Sequence, residues 1–112
     1  MADKKVLIKD EGLIRSFKSK NADKIFYGFY VRKFDRGFQL KIRQKLNELD
    51  SATQVCDLRV PRNNHLEKLS GDLKGYWSIS IKRGDNKYGG DRVLFKWKNN
   101  APYDVMIIDY HK

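Results

Sequence analysis

One cysteine, two histidines and two prolines are all that this 112-residue chain contains of those types, and each scarcity removes a class of protein. A lone Cys56 cannot close an intramolecular disulfide, which excludes a disulfide-stapled scaffold and fits a reducing cytoplasm. One thiol and two imidazoles cannot complete an ordinary four-ligand Cys/His zinc site, and no cofactor is expected. No apolar run approaches the roughly 20 residues that span a bilayer, and the opening MADKKVLIKDEG lacks the apolar core of a signal peptide, so no membrane contact is expected. Gly-x-Ser-x-Gly is absent, and Cys56 sits beside Asp57 without an evident base, which leaves nucleophilic Ser or Cys catalysis unsupported. The glycine-rich stretches 71–75 and 84–90 do not fit Gly-x-x-x-x-Gly-Lys-[Ser/Thr] and read as hairpin turns.

Negative charge is also in short supply. Against 14 Asp+Glu stand 24 Lys+Arg, a formal net charge of +10, which gives a folded surface a positive field and makes a polyanion its natural partner. The excess is spread along the chain, with 13 basic and 7 acidic residues in 1–50 and 11 and 7 in 51–112, so no basic tail is attached to a neutral domain.

The pattern predicts one α+β domain over 13–112, preceded by an arm or extension over 1–12. Leu13–Phe17 reads as a first strand. From Ala22 to Lys33, Ile25, Phe26, Phe29 and Tyr30 recur at helical spacing, with helix-start chemistry near Asn21. Asp35-Arg36-Gly37 breaks that pattern. Phe38, Ile42, Leu46 and Leu49 then fall on one face of a second helix, ending near Asp50-Ser51, and the short break makes the pair a helical hairpin. Residues 51–64 read as a long, partly ordered connection. Four runs rich in aromatic and β-branched residues follow, Leu66–Leu69, Tyr76–Lys82, Arg92–Lys98 and Tyr103–Ile108, and form an antiparallel β-meander. In the second and third runs one face is apolar and the other polar or basic. In the last, Val105 and Ile107 oppose Met106 and Ile108, as in a strand covered on both sides.

Two constellations carry chemistry. Asp109-Tyr110-His111 places a carboxylate, a phenol and an imidazole at consecutive positions, three groups able to hold or move protons; packing, pairing and a frayed terminus are the bland alternative. Basic and aromatic residues interleave through the meander, where Lys74, Lys82, Arg83, Lys87, Arg92 and Lys96 can meet phosphates while rings stack on unpaired bases. The solvated face of an amphipathic sheet accounts for a share of these.

Several stretches together resemble the HigB-type toxins of the RelE superfamily. They are Ile14-Arg15-Ser16-Phe17-Lys18, Leu46–Thr53, Asp57-Leu58-Arg59-Val60-Pro61, Leu69–Ile79 with its Gly-Asp-x-x-Gly-x-x-Ser-Ile turn, Arg92-Val93-Leu94-Phe95 and the Asp-Tyr-His ending. The likeness runs in order from 14 to 111. It implies a RelE-like microbial-RNase fold and a metal-independent endoribonuclease that cuts translated mRNA in the ribosomal A site. It further implies a HigA-type helix-turn-helix antitoxin as partner, with operator DNA reached only through that antitoxin.

Carried over by position, the resemblance assigns Asp109, Tyr110 and His111 to the terminal catalytic group and Arg92 to the scissile phosphate. Some members carry His-Pro-Leu-Lys-Gly before the turn; Glu67-Lys68-Leu69-Ser70-Gly71 stands there in this chain. Glu67 is thus the expected acid or base, with Lys68 or the displaced His65 as alternatives. Arg59, Lys68, Lys74, Lys82, Arg83, Lys87 and Lys96 are the expected RNA contacts, the 82–91 loop being longer than usual for the family. A non-enzymatic RNA- or ribosome-binding module is the competing expectation.

Overall fold

The computed structural model describes residues 13–81 and 91–108. The expected arm, the basic residues Lys82, Arg83 and Lys87 and the terminal Asp109-Tyr110-His111 lie outside the described residues.

Helix α1 spans Lys20–Phe26, with Ser19 as its cap, the hydroxyl accepting from the Ala22 amide at 3.2 Å. It is half as long as the spacing predicts because Gly28 takes φ +91°. A left-handed residue ends a helix, and two reverse bonds seal the end: Gly28 N–H to Ile25 C=O and Phe29 N–H to Lys24 C=O. Helix α2 spans Arg36–Ser51. The expected break at Asp35-Arg36-Gly37 is instead its beginning, since the Asp35 carboxylate accepts from the Phe38 amide at 2.8 Å and makes residues 36–37 the first turn. Between the helices the buried Gln39 amide accepts from Val31 N–H and donates to the carbonyls of Val31 and Phe34, satisfying backbone that the turn leaves unpaired.

Four antiparallel strands form one sheet in the order β1-β2-β3-β4, with β1 at Glu67–Lys68, β2 at Trp77–Ser80, β3 at Arg92–Lys98 and β4 at Ala101–Ile108. Phe38, Ile42, Leu46 and Leu49 of α2 pack with Ile79, Val93, Phe95 and Val105 of one sheet face into a single core. The architecture is the expected α+β arrangement of paired helices and β-meander.

Three local expectations are corrected. Leu13–Phe17 is not a ladder strand; it lies parallel to the outer edge of β4, with Arg15 N–H on Pro102 C=O, Val105 N–H on Ser16 C=O and Lys18 N–H on Val105 C=O. Only the Phe17–Val105 pair forms a bridge, because β4 bulges at Asp104 (φ +52°), where its register to β3 shifts by one residue. This strap gives β4 hydrogen-bonding partners on both edges.

Residues 51–64 are ordered into 3-10 turns at Val55–Arg59 and Arg62–Asn64. Asn64 is fully buried, accepting from Lys45 Nζ at 2.6 Å and donating to the Leu58 carbonyl and to Glu48. The supposedly polar outer face of the sheet also buries Tyr76, Ser78 and Leu94. Arg92 reaches across to Ser78, and Lys96 lies over the Tyr76 ring at 5.1 Å, so the stems of two cations roof that face.

Within the first 3-10 turn the Asp57 carboxylate accepts from the Thr53 and Gln54 amides and the Thr53 hydroxyl. These bonds, the Thr53 amide foremost, hold its pKa below the ordinary value of 3.8. A carboxylate whose folded pKa is depressed stabilises the fold above its unfolded pKa and loses that contribution as pH falls through the folded one. The difference in urea midpoint between wild type and Asp57→Asn is therefore expected to be fully present at about pH 7 and to shrink as both are titrated below about pH 4.

Candidate active site on the outer face of the sheet

Arg92 opens β3, and alternation along the strand points it, with Leu94 and Lys96, away from the α2 core. Antiparallel register pairs Ser78 with Leu94 and Glu67 with Ser78, which puts Glu67, Ser78 and Arg92 on one face. Their side chains meet: Arg92 Nε donates to Ser78 Oγ at 2.9 Å, and Nη2 lies 3.2 Å from Glu67 Oε1. Nη2 also donates to the His65 carbonyl at 3.2 Å.

That carbonyl is aimed by the loop before β1. His65 takes a left-handed conformation (φ 48°) immediately after the turn that buried Asn64 anchors to Lys45 and Glu48 of α2. One helix, one turn and two strands thus fix a single guanidinium. Its side chain is only 19% exposed, and among the described residues Nη1 has no partner. A guanidinium held this way can offer the two remaining Nη1 donors to an anion without first being ordered. Glu67 is 58% exposed, and an ion pair so open to water is worth about 0–1 kcal/mol. It is the exchangeable partner of the three.

Strand β4 ends opposite Arg92, the register pairing Arg92 with Ile108; the sequence then runs into Asp109-Tyr110-His111. Lys96 shares the face of Arg92 four residues further along β3, about 13 Å away at strand rise, and its ammonium is 3.8 Å from the Asp104 carboxylate. Lys68 is not on this face. Its cross-strand partner is Trp77, and its ammonium sits 5.4 Å over that ring, on the opposite side of the sheet from Glu67. Lys74 and Arg59 are exposed, and no hydrogen bond or ion pair joins either to the Arg92 cluster. At His65 it is the backbone carbonyl, not the imidazole, that touches Arg92.

Ser78 is the member of the Arg92 cluster that sequence reasoning overlooked. Strand periodicity placed it opposite the core, but only the register with β3 shows that it receives Arg92. Among the described residues no three His, Cys, Asp or Glu side chains group as metal ligands, and no helix is long and apolar enough to cross a membrane.

Comparison with known proteins gives concordant matches. The profile of a family described as the RelE-like toxin of the type II toxin-antitoxin system HigB matches residues 11–111. Toxin HigB-1 of Vibrio cholerae is 36% identical over 69 residues, 62% of this chain; the match spans 65% of that toxin, slightly under two thirds of its length. Endoribonuclease HigB of Proteus vulgaris is 30% identical over 104 residues, 88% of this chain and 100% of the relative.

The Ser78 bond has a direct readout. In Ser78→Ala the Arg92 Nε–H loses its acceptor, a bond worth about 1 kcal/mol, or roughly fivefold in an equilibrium. The Nε–H resonance of Arg92 is expected to exchange with solvent roughly fivefold faster than in wild type, the backbone amides of β2 and β3 keeping their protection. Unchanged exchange at Nε would show that Ser78 does not hold the guanidinium.

Proposed function

Because the chain belongs to the HigB-like family of RelE-like type II toxins, we propose that it is a ribosome-dependent endoribonuclease that cuts translated mRNA in the cytoplasm and is silenced by a HigA-type antitoxin. The observation that supports this best is the Arg92 cluster: a positioned guanidinium with unused donors, an adjoining carboxylate, and a strand that ends opposite it. The Proteus vulgaris relative is named an endoribonuclease, and RNA cleavage is the chemistry such a cluster serves.

In the proposed reaction the ribose 2′-oxygen attacks the adjacent phosphorus as the bond to the 5′-oxygen breaks. The products are a cyclic phosphate and a 5′-hydroxyl. One proton leaves the 2′-OH, one is delivered to the departing 5′-oxygen, and the phosphorane oxygens carry added negative charge. Arg92 takes the charge through its free Nη1 donors. The incoming phosphate replaces Glu67 on the guanidinium, an exchange that the weakness of an exposed ion pair permits, and the released carboxylate accepts the 2′-OH proton. His111 supplies the proton to the 5′-oxygen, with Asp109 and Tyr110 orienting it. Lys96 holds a neighbouring phosphate of the strand. With both proton roles and the charge role filled by side chains, the reaction is proposed to need no metal or other cofactor.

Removing the proton donor in His111→Ala is expected to lower turnover about 10²–10⁴-fold, antitoxin binding unchanged. Arg92→Ala is expected to lower both turnover and affinity for a non-cleavable 2′-O-methyl RNA. Glu67→Gln separates its two roles: turnover falls while affinity for the 2′-O-methyl RNA rises, the competing carboxylate having gone. Equal growth arrest by wild type and His111→Ala at matched expression would remove His111 from the mechanism.

Metal dependence is tested separately, in mRNA cleavage on purified ribosome complexes. Titrating EDTA to just below the concentration that dissociates the ribosomes is expected to leave the rate unchanged. Loss of cleavage there, restored by added Mn²⁺, would overturn the metal-free reaction.

A further inference from the structure

The segment that brings the His65 carbonyl to Arg92 has almost nothing to hold it by burial. Leu58 is buried and Leu66 half-buried, but Arg59 to Asn63 and His65 between them are all exposed. Asn64 is the exception, with no solvent exposure at all. The hydrophobic effect is non-directional and has no side chain to act on in this turn. What fixes the turn in space is a buried carboxamide.

Every polar atom of that carboxamide is engaged. Oδ1 accepts from Lys45 Nζ at 2.6 Å, while Nδ2 donates to Glu48 at 3.2 Å and to the carbonyls of Leu58 at 3.1 Å and Val60 at 3.5 Å. The Lys45 side chain is only 12% exposed and also holds Glu48 at 3.4 Å, so ammonium, carboxylate and carboxamide close a ring between α2 and the turn. A fully satisfied polar network is rigid, and its bonds have a direction that an apolar side chain of the same volume lacks. The next residue, His65, sits at φ 48°, a left-handed backbone that a non-glycine residue keeps only where its surroundings impose it. Its carbonyl then accepts from Arg92 Nη2 at 3.2 Å.

We propose that Asn64, held by Lys45, is a positioning residue for RNA cleavage: buried and out of reach of substrate, it sets the aim of Arg92 through the His65 carbonyl. This inference rests on the endoribonuclease reading above. Arg92 attracts a phosphate by its charge, which needs no fixed aim, but it stabilises the phosphorane through directed Nη1 donors, which do. The guanidinium is planar, so Nη1 is aimed by holding Nε on Ser78 and Nη2 on the His65 carbonyl. Glu67 cannot take over at Nη2, because the incoming phosphate displaces it. During turnover the His65 carbonyl is therefore the one holder of Nη2 among the described residues. A displaced carbonyl lowers kcat and leaves KM.

The test measures mRNA cleavage by the whole chain on purified ribosome complexes, together with affinity for the 2′-O-methyl RNA and the side-chain NMR signals of Arg92. Asn64→Leu keeps the volume and removes the bonds. It is expected to lower kcat about tenfold, KM and 2′-O-methyl RNA affinity staying within about twofold of wild type. In wild type the two acceptors on Nη2 slow rotation about Cζ–Nη2 and separate its protons from those of Nη1. Asn64→Leu is expected to lose that slow rotation while the backbone amides of β2 and β3 keep their protection, a change that general destabilisation does not produce. Lys45→Met keeps the aliphatic stem without the ammonium; it is expected to show the same split at about threefold in kcat, and it serves if Asn64→Leu does not fold. Wild-type kcat in folded Asn64→Leu, an equal loss of kcat and RNA affinity, or free rotation of Nη2 in the wild-type chain would each overturn the positioning role and leave the endoribonuclease reading standing. A wild-type chain that cleaves no mRNA overturns that reading, and the role of Asn64 in cleavage with it.

Discussion

A helical hairpin, α2 with α1 beside it at β4, covers one face of a four-stranded sheet, and among the described residues no helix lies on the other. Ile42, Leu46 and Leu49 seat against Ile79, Val93 and Phe95, all without solvent exposure, each such side chain contributing about 1.5–3 kcal/mol by burial. Strand alternation then sends every second residue to the uncovered side, where the chain must roof itself. It does so with the aliphatic stems of Arg92 and Lys96, laid over Ser78 and Tyr76. The cations that shield the second face are thus the ones placed to receive an anion, and fold and candidate site draw on the same side chains.

What the sequence made legible was whatever a short window determines. The four-four-three spacing from Phe38 to Leu49 identified α2, and aromatic and β-branched runs identified the meander. Misreadings fell where the deciding partner is remote. The end of α1 depends on the backbone sign at Gly28, which side-chain periodicity does not encode. Asn64 looked like loop polarity, because its burial needs Lys45 and Glu48 from 19 and 16 residues earlier. Apolar residues on both faces of β4 suggested a central strand covered on both sides, but β4 is the last ladder strand of the sheet, flanked on its outer edge by a strap, and Met106 and Ile108 on its outer face are only part-buried.

The site was legible in a different way. Arg92 and Glu67 were picked out by resemblance, and strand register brought them within 3.2 Å of each other. Adjacent Lys68, one of the two alternatives to Glu67, went to the far face because neighbours in a strand point in opposite directions. Ser78 and the His65 carbonyl were invisible, since a hydroxyl and a backbone oxygen advertise nothing until their partner is known. The arrangement divides the Arg92 donors into a held set and an open set. Preorganisation of this type lowers the reorganisation that a charged transition state would otherwise demand.

Asp104 sets the phase of β4. Its left-handed backbone is steadied by Ser16, whose hydroxyl accepts its amide and contacts its carboxylate. Before it, Ala101 to Tyr103 face Lys98 to Lys96; after it, Met106 to Ile108 face Leu94 to Arg92 with one residue taken up between them. Flatten the bulge while keeping that residue and Ile107, not Ile108, would stand across from Arg92. Every later position, including the point from which the terminal Asp-Tyr-His departs, would arrive on the wrong side of the sheet. The phase of the end of β4 therefore hangs on one left-handed residue, and position 104 suits the short polar side chains or glycine that take that backbone at little cost.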